Sequence, residues 1–374
     1  MSRAPKTIAI AAGGTAGHVV PALAVAAALR AEGAEVAFLG GERAEAQLVP
    51  AAGFPLHTLS VEGLSRSNPL RAARALARAA VAFLRARALL GRLRPDAAMG
   101  GGGYVAGPVG LAALTLRIPL VLTEADSHLG LTNRLLAPFV RRVCLAFPIA
   151  GRDGPRYRVT GRPIPAPAQD RHAARERFGI APQETCLLVF GGSLGARSIN
   201  LAAIEAFAIG SSPVTGLLPT TGSSPTDAAL RVLHVCGVRD HPELRARKLP
   251  AGYDLREYLP LEEFADALAA ADLVLARAGG SVFEIAAHGL PAILVPYPHA
   301  AGDHQRENAR WMCEAGAAIA IPDEELGASR LAREVGELLA DRPRLAAMAT
   351  AAGALARPNA ARDVAQELLM AAAG

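Results

Sequence analysis

Cysteine is scarce in this 374-residue chain, and the four present, Cys144, Cys186, Cys236 and Cys313, are widely scattered. No C-x-x-C pair occurs, which argues against a cysteine zinc site or a disulfide framework and fits a reducing cytoplasm. Aromatic residues make up only 4% of the sequence and do not interleave with the basic ones. A nucleic-acid surface built on base stacking is therefore not expected. Lysine is almost absent: Lys6 and Lys248 are the only two, so the formal net charge of +5 rests on arginine. Long uncharged runs are rare as well. Ala97–Leu116 carries no charge over twenty residues, but it holds six glycines and Pro108 and reads as strand, loop and helix, not as a membrane span. Arg3 and Lys6 precede an apolar stretch, yet a glycine loop interrupts it and no cleavage-like site follows, which argues against a secretory signal.

What is present is apolar patterning. Hydrophobic residues reach 51% against 20% charged, enough for large cores, and the length suits two domains of ordinary size. The first half alternates strand-like segments (Thr7–Ala12, Glu35–Leu39, Ala97–Met99, Leu120–Thr123, Arg142–Ala146) with helix-like ones (Val19–Glu32, Ala44–Ala52, Leu70–Leu93, Val105–Arg117, Thr132–Ala137). That alternation predicts a parallel sheet covered by helices on both faces. Gly151–Gln169 is rich in Pro, Gly and Arg and reads as the interdomain linker. The pattern restarts at Thr185–Phe190, a strand followed by a glycine turn at Gly191–Gly195 and a helix over Ala196–Phe207. Strands over Val232–Cys236, Leu273–Ala276, Ala292–Val295 and Ala317–Ile321 follow. Gly210–Thr226 reads as a surface loop, and a last helix over Ala360–Ala372 has its leucines at helical spacing. The expected division is 1–160 and 161–357, with the segment from about 358 to 374 able to pack back on the first domain.

Four glycine turns follow strands. Gly13-Gly14-Thr15-Ala16-Gly17-His18 and Gly191-Gly192-Ser193-Leu194-Gly195 open the two halves, about 180 residues apart. Gly100–Pro108 and Arg277–Glu284 are the others. Glycine allows a tight turn and close approach to a ligand, and the amides of a helix's first turn favour an anion. Open parallel sheets bind ligands at the carboxyl ends of their strands. Four such turns point to a shared cleft, against the alternative that all are merely tight turns. Neither opening loop matches G-x-G-x-x-G, although Glu42 after the second strand keeps a dinucleotide reading open. Glu284, at a helix start, suits two ribose hydroxyls; the alternative is a carboxylate favoured only by the helix dipole. Pro298–Asn308 concentrates amide, imidazole and carboxylate groups of the kind that read sugar hydroxyls. A metal at His299, Asp303 and His304 lacks a partner pair at helical spacing.

Gly13–His18, Gly101–Pro108, Gly130–Asn133, Gly191–Arg197, Arg277–Glu284 and His299–Asn308 together, in this order, resemble the bacterial peptidoglycan N-acetylglucosaminyltransferases. The resemblance spans most of the chain. It implies an α/β GT-B fold, two Rossmann-like doubly wound parallel-sheet domains facing a cleft. It further implies UDP-GlcNAc as donor, held mainly by the C-terminal half. The acceptor would be undecaprenyl-diphospho-MurNAc-pentapeptide (lipid I) on the N-terminal half. Carried over by motif, Thr15, Ala16 and Gly17 approach the donor, Ser193 and the amides after it bind phosphate, and Leu259 lies in the segment that contacts uracil. Gly279, Gly280, Ser281 and Val282 form the loop before Glu284, which takes the ribose. His304 and Gln305 flank the position that reads the sugar, and Tyr104 belongs to the substrate-binding set. Three departures stand out. Asp126 occupies the place of an asparagine expected to touch the donor sugar. Pro165 replaces an arginine, for which Arg162 stands three residues earlier. The Arg277–Glu284 loop is one residue short.

The resemblance implies an inverting displacement, with His18 as the first candidate base and Glu124 and Asp126 as the others. No Asp-x-Asp stands beside the expected donor site, so neither a divalent metal nor another cofactor is required. Three further readings stay open: another GT-B transferase with a different lipid or small-molecule acceptor, a UDP-GlcNAc 2-epimerase of related fold, and a non-catalytic nucleotide-sugar sensor. Arg66–Arg94 holds eight arginines and no acidic residue. Arg71, Arg74, Arg78, Arg85 and Arg92 form one helical stripe, with Leu76, Phe83, Leu84 and Leu90 near another. This predicts a basic amphipathic helix on anionic lipid, peripheral to the cytoplasmic side of the inner membrane; the alternative is a core helix with a solvated charged face.

Overall fold

A computed structural model describes residues 5–59, 69–207 and 229–374, without the side chains of 69–77 and 301. The expected loop at 210–226 lies outside the described residues, as do the side chains of Arg71, Arg74 and Leu76. The chain divides into two compact units, Met1–Pro165 with Arg357–Gly374, and Ala166–Ala356.

Among the described residues of the first unit, seven strands form one parallel sheet. They are β1 (Thr7–Ala11), β2 (Glu35–Gly40), β3 (Leu56–Thr58), β4 (Ala97–Gly100), β5 (Leu120–Glu124), β6 (Arg142–Leu145) and β7 (Tyr157–Val159), in the order β3-β2-β1-β4-β5-β6-β7. The second unit has β8 (Thr185–Phe190), β9 (Leu230–Val235), β10 (Tyr253–Arg256), β11 (Leu273–Ala276), β12 (Ala292–Leu294) and β13 (Ala318–Ala320), ordered β10-β9-β8-β11-β12-β13. Each order reverses once, between β1 and β4 in the first unit and between β8 and β11 in the second. That is the switch point where such sheets open a crevice at their carboxyl ends. The central strands are covered on both faces, so they read as unbroken apolar runs: Ile8, Ile10, Leu187, Leu188 and Val189 are all fully buried.

Edge strands behave differently. β3 (LHT), β7 (YRV) and β10 (YDLR) are three or four residues long and mix polar with apolar side chains. Each has a sheet neighbour on one side only, so no apolar run announces it. The expected linker over Gly151–Gln169 is corrected accordingly: its Tyr157–Val159 pairs with β6, Val143 beside Tyr157 and Leu145 beside Val159. The first unit runs on to Pro165 because Gly161 packs against Arg357 and Arg162 donates to the Gly17 carbonyl.

The last helix, Ala360–Ala373, packs on the first unit. Val364, Ala365, Leu368 and Ala371 join the core of Ile8, Ile10, Val19 and Ala22. Polar pairs hold the same helix from the sheet edge. Buried Glu367 accepts from Arg142 Nε at 2.7 Å and Arg158 Nη1 at 2.9 Å, and Asp363 pairs with Arg158 at 3.2 Å. Burial alone would raise the Glu367 carboxyl, but the two guanidiniums hold it below the ordinary range. The helix is thereby stapled to β6 and β7 as well as to the core.

Candidate active site

In the first unit the turns after β1, β4 and β5 line a pocket of about 310 Å³, which takes in Gly17, His18, Gly102, Glu124, Asp126 and Arg162. His18 stands in the first turn of the helix Ala16–Ala31, which starts at an extended Thr15. Its ring lies over Gly102, where an added Cβ would come within 2.8 Å of Nδ1. Burial, and after it the Arg162 guanidinium, hold the imidazole below its ordinary pKa, while Asp126 and Glu45 oppose that shift. The ring is therefore neutral and able to accept a proton at pH 7.

Glu124 ends β5 and is buried. One oxygen, Oε2, accepts from Gly130 N at 2.8 Å and Asn133 Nδ2 at 2.9 Å; the other accepts from Asp126 N at 3.2 Å. Burial pushes its carboxyl above the usual range, and those three donors offset part of the push. Three donors on two oxygens make Glu124 the hub that shapes the 124–133 turn. Asn133, quoted in the sequence only as part of a motif, closes this hub and also donates to the Thr123 carbonyl at 2.9 Å.

Tyr104 is placed elsewhere. Its hydroxyl donates to Glu45 Oε1 at 2.9 Å, and its pKa is pushed up to about 12 by burial and then by that carboxylate. Glu45 is a residue that sequence reading passed over. It is fully buried, and it also accepts from Gly14 N and Gly41 N, each at 2.8 Å. Burial works against its charge, but these donors hold its carboxyl below the ordinary range. One signal existed: Glu45 precedes Val49 by four residues, so it shares the buried face of the helix Ala44–Ala51.

In the second unit the corresponding turns follow β8, β11 and β12. Gly195 takes φ +83° where a Cβ would overlap the Cys236 carbonyl, so only glycine closes this turn. Ser193 is exposed at the turn's tip, and the helix Arg197–Phe207 follows. Beneath it lies a polar network that the sequence did not announce. Asn200 Nδ2 donates to Cys236 O at 2.9 Å and to Asp240 Oδ2 at 2.8 Å. Its Oδ1 is thus the acceptor for His234 Nε2 at 3.0 Å, which places the ring proton on Nε2. His234 Nδ1 then accepts from the Tyr253 hydroxyl at 2.7 Å. Burial lowers the His234 pKa to about 3, so this ring stays neutral and holds the turn from below.

Arg277, at the end of β11, donates to Asp323 at 2.6 Å, to Ser198 Oγ at 2.9 Å and to the Val295 and Pro296 carbonyls. It ties three turns to one another. Gly279, Gly280 and Ser281 are half buried, and Val282 is buried, which leaves its backbone to meet a ligand. Glu284 is half buried in the first turn of the helix Val282–Ala287. Buried Asn308 donates to the Ala278 carbonyl at 3.0 Å and so supports the same turn. Gln305 Oε1 accepts from Tyr297 N at 3.0 Å, and His304 begins the helix after Gly302 and a left-handed Asp303. The Leu259 side chain is buried, so it too offers only backbone. Among the described residues no three His, Cys, Asp or Glu side chains are grouped to hold a metal ion, His299, Asp303 and His304 included.

Two family models match the chain. Residues 8–145 match the glycosyltransferase family 28 N-terminal domain, and residues 186–368 match its C-terminal domain. A UDP-N-acetylglucosamine–N-acetylmuramyl-(pentapeptide) pyrophosphoryl-undecaprenol N-acetylglucosamine transferase of Moorella thermoacetica is 41% identical, covering 97% of this chain and 98% of the relative. The crystal structure of Acinetobacter baumannii MurG superposes with a TM-score of 0.73 at 30% identity, covering 98% of this chain and all of that one. The calicheamicin glycosyltransferase CalG4, at 20% identity and a TM-score of 0.67 over 98% of this chain and 99% of that one, shares the GT-B fold. Nearly full-length identity at this level is specific where fold alone is not. The chain belongs to the family of UDP-N-acetylglucosamine–N-acetylmuramyl-(pentapeptide) pyrophosphoryl-undecaprenol N-acetylglucosamine transferases.

Proposed function

We propose that this chain moves GlcNAc from UDP-GlcNAc to the C4 hydroxyl of MurNAc in lipid I, giving lipid II for peptidoglycan synthesis. The first unit receives the acceptor and the second holds the donor. The observation that carries the catalytic part is His18, an imidazole kept neutral by burial and Arg162 inside a pocket at the sheet's switch point. The acceptor oxygen attacks C1 of GlcNAc, the bond from C1 to the β-phosphate oxygen breaks, and the hydroxyl proton passes to the His18 ring. Configuration at C1 inverts. In the second unit, the exposed Ser193 turn and the start of the helix Arg197–Phe207 favour the departing diphosphate. The three donors on Glu124 support a loop-shaping role for it, with Asp126 facing the same pocket. The full chain is to be incubated with UDP-GlcNAc, with and without a lipid I analogue. UDP release only when the acceptor is present is expected. Release without acceptor, or none with it, defeats this reading and favours the 2-epimerase or sensor alternatives.

The reading extends to the membrane, at the cytoplasmic side of the inner membrane. No helix among the described residues is long and apolar enough to cross a bilayer. On the helix Pro69–Leu93, Leu84 is 62% exposed and Val81 also faces outward. Leu111, Leu131, Leu135 and Phe139 are exposed on the helices that follow in the packing. Leu90, from the same expected apolar stripe, is instead buried in the core with Ala86, because the helix must bury one stripe, and Phe83 is half buried at the edge of that core. Arg85, Arg87 and Arg92 are exposed and Arg78 is half buried. Each exposed arginine contributes about 1 kcal/mol near anionic lipid. Flotation with anionic vesicles is expected to carry the chain at low salt and to release it at high salt; no association at low salt refutes the membrane role.

A further inference from the structure

Glu45 lies outside the pocket, yet three turns at the carboxyl end of the first sheet close on its carboxylate. Oε2 accepts from Gly14 N, and Oε1 accepts from Gly41 N and from the Tyr104 hydroxyl. These partners belong to the turns after β1, β2 and β4 respectively. The surroundings are built around it. A Cβ at Gly13 would stand 2.7 Å from Oε1, and one at Gly40 would stand 2.9 Å from Cγ. At Gly41 a Cβ would overlap the Tyr104 hydroxyl, and at Gly103 it would overlap the Gly13 carbonyl. Backbone therefore packs directly on the carboxylate and on its partners, with no side chain between to absorb a shift.

We infer that Glu45 is a positioning residue for the transfer, tying the turns after β1, β2 and β4 together and so setting where Gly17 and His18 stand in the pocket. This rests on the reading of that pocket as the acceptor site. The charge is needed as well as the shape. A carboxylate presents two acceptor oxygens, whereas glutamine presents one, and its NH2 would face either Gly14 N–H or Gly41 N–H and the Tyr104 hydroxyl. Reacting groups displaced by about 1 Å can lose ~10²-fold in rate. Glu45 also acts on His18 through its charge. The described charged groups that shift His18 are Arg162, Asp126 and Glu45, and removing the last takes away one of the two negative charges.

Glu45→Gln in the full chain is compared with wild type by UDP release with a lipid I analogue, by calorimetric binding of UDP-GlcNAc and by thermal melting. Turnover is expected to fall about 10- to 100-fold. Donor affinity should stay within about threefold and the melting temperature within about 4 °C. The acid limb of kcat/KM should move to lower pH, because His18 loses a neighbouring negative charge. Glu45→Asp keeps the charge and both oxygens but falls one methylene short. It should lose about tenfold in turnover while its acid limb stays where wild type has it. Turnover of either variant within twofold of wild type overturns the proposal. So does a Glu45→Gln loss that merely tracks the unfolded fraction, or an acid limb that does not move. A wild-type chain that releases no UDP with the acceptor defeats the transferase reading itself, and so is told apart from a failure of Glu45 alone.

Discussion

His18→Ala is expected to lower turnover about 10²- to 10⁴-fold, the span that a positioned general base supplies, with UDP-GlcNAc affinity nearly unchanged. The expectation follows from where the ring is held. It sits in the first turn of the helix Ala16–Ala31, against Gly102, within the pocket that also holds Arg162 and Asp126. Burial and Arg162 keep its pKa below the ordinary value. A base must be neutral to act, so the acid limb of kcat/KM should fall below about pH 6.5, the unperturbed histidine value. Arg162→Ala removes a positive charge from beside the ring and should move that limb upward. Steady-state UDP release across pH 5 to 9 reads both effects. His18→Ala with turnover within about threefold of wild type would leave histidine as a hydrogen-bond donor only and pass the base role to Asp126.

The second large effect is expected at the donor. Glu284→Ala should raise KM for UDP-GlcNAc by about 10²-fold or more, since a carboxylate accepting two hydroxyls contributes roughly 1.5–3 kcal/mol per bond. Turnover at saturating donor should change much less, because ribose lies away from the reacting carbon and binds equally in ground and transition states. The loop before Glu284, Arg277–Ser281, carries two adjacent glycines. The Arg277 bonds to Asp323 and Ser198, together with the Asn308 bond to the Ala278 carbonyl, hold it nonetheless. A donor with 2′-deoxyuridine provides the control. Wild type should discriminate against it strongly, and Glu284→Ala should treat it and UDP-GlcNAc alike. If the variant keeps the discrimination of wild type, Glu284 does not read the ribose.

Much of this site could be read along the chain because its chemistry is local. Four glycine turns, each closing an apolar strand, mark the carboxyl ends of parallel sheets wherever they occur. His18 and Glu284 follow their turns by a few residues, so no tertiary information was needed to place them at a helix start. Glu45 was not legible in the same way. Its partners Gly14 and Tyr104 stand 31 and 59 residues away, and a glutamate on a short helix is ordinarily a solvated one. Asn200 and His234 are likewise polar residues in segments that read as core, joined only when β9 comes to lie beside β8.

The sequence by itself determined the two Rossmann-like units, their order and the glycine turns at their strand ends, because hydrophobic period and glycine placement act over a few residues. Tertiary structure alone decided which polar groups those turns close upon. It also decided that the Tyr104 hydroxyl meets Glu45 and that Leu90 turns inward while Leu84 faces out. The last helix is the plainest case: its leucines called for some apolar surface, and only the assembled sheet supplied it, with Arg142 and Arg158 aligned on Glu367. Burial and long-range pairing depend on chain segments far apart in sequence, and no local pattern encodes their meeting.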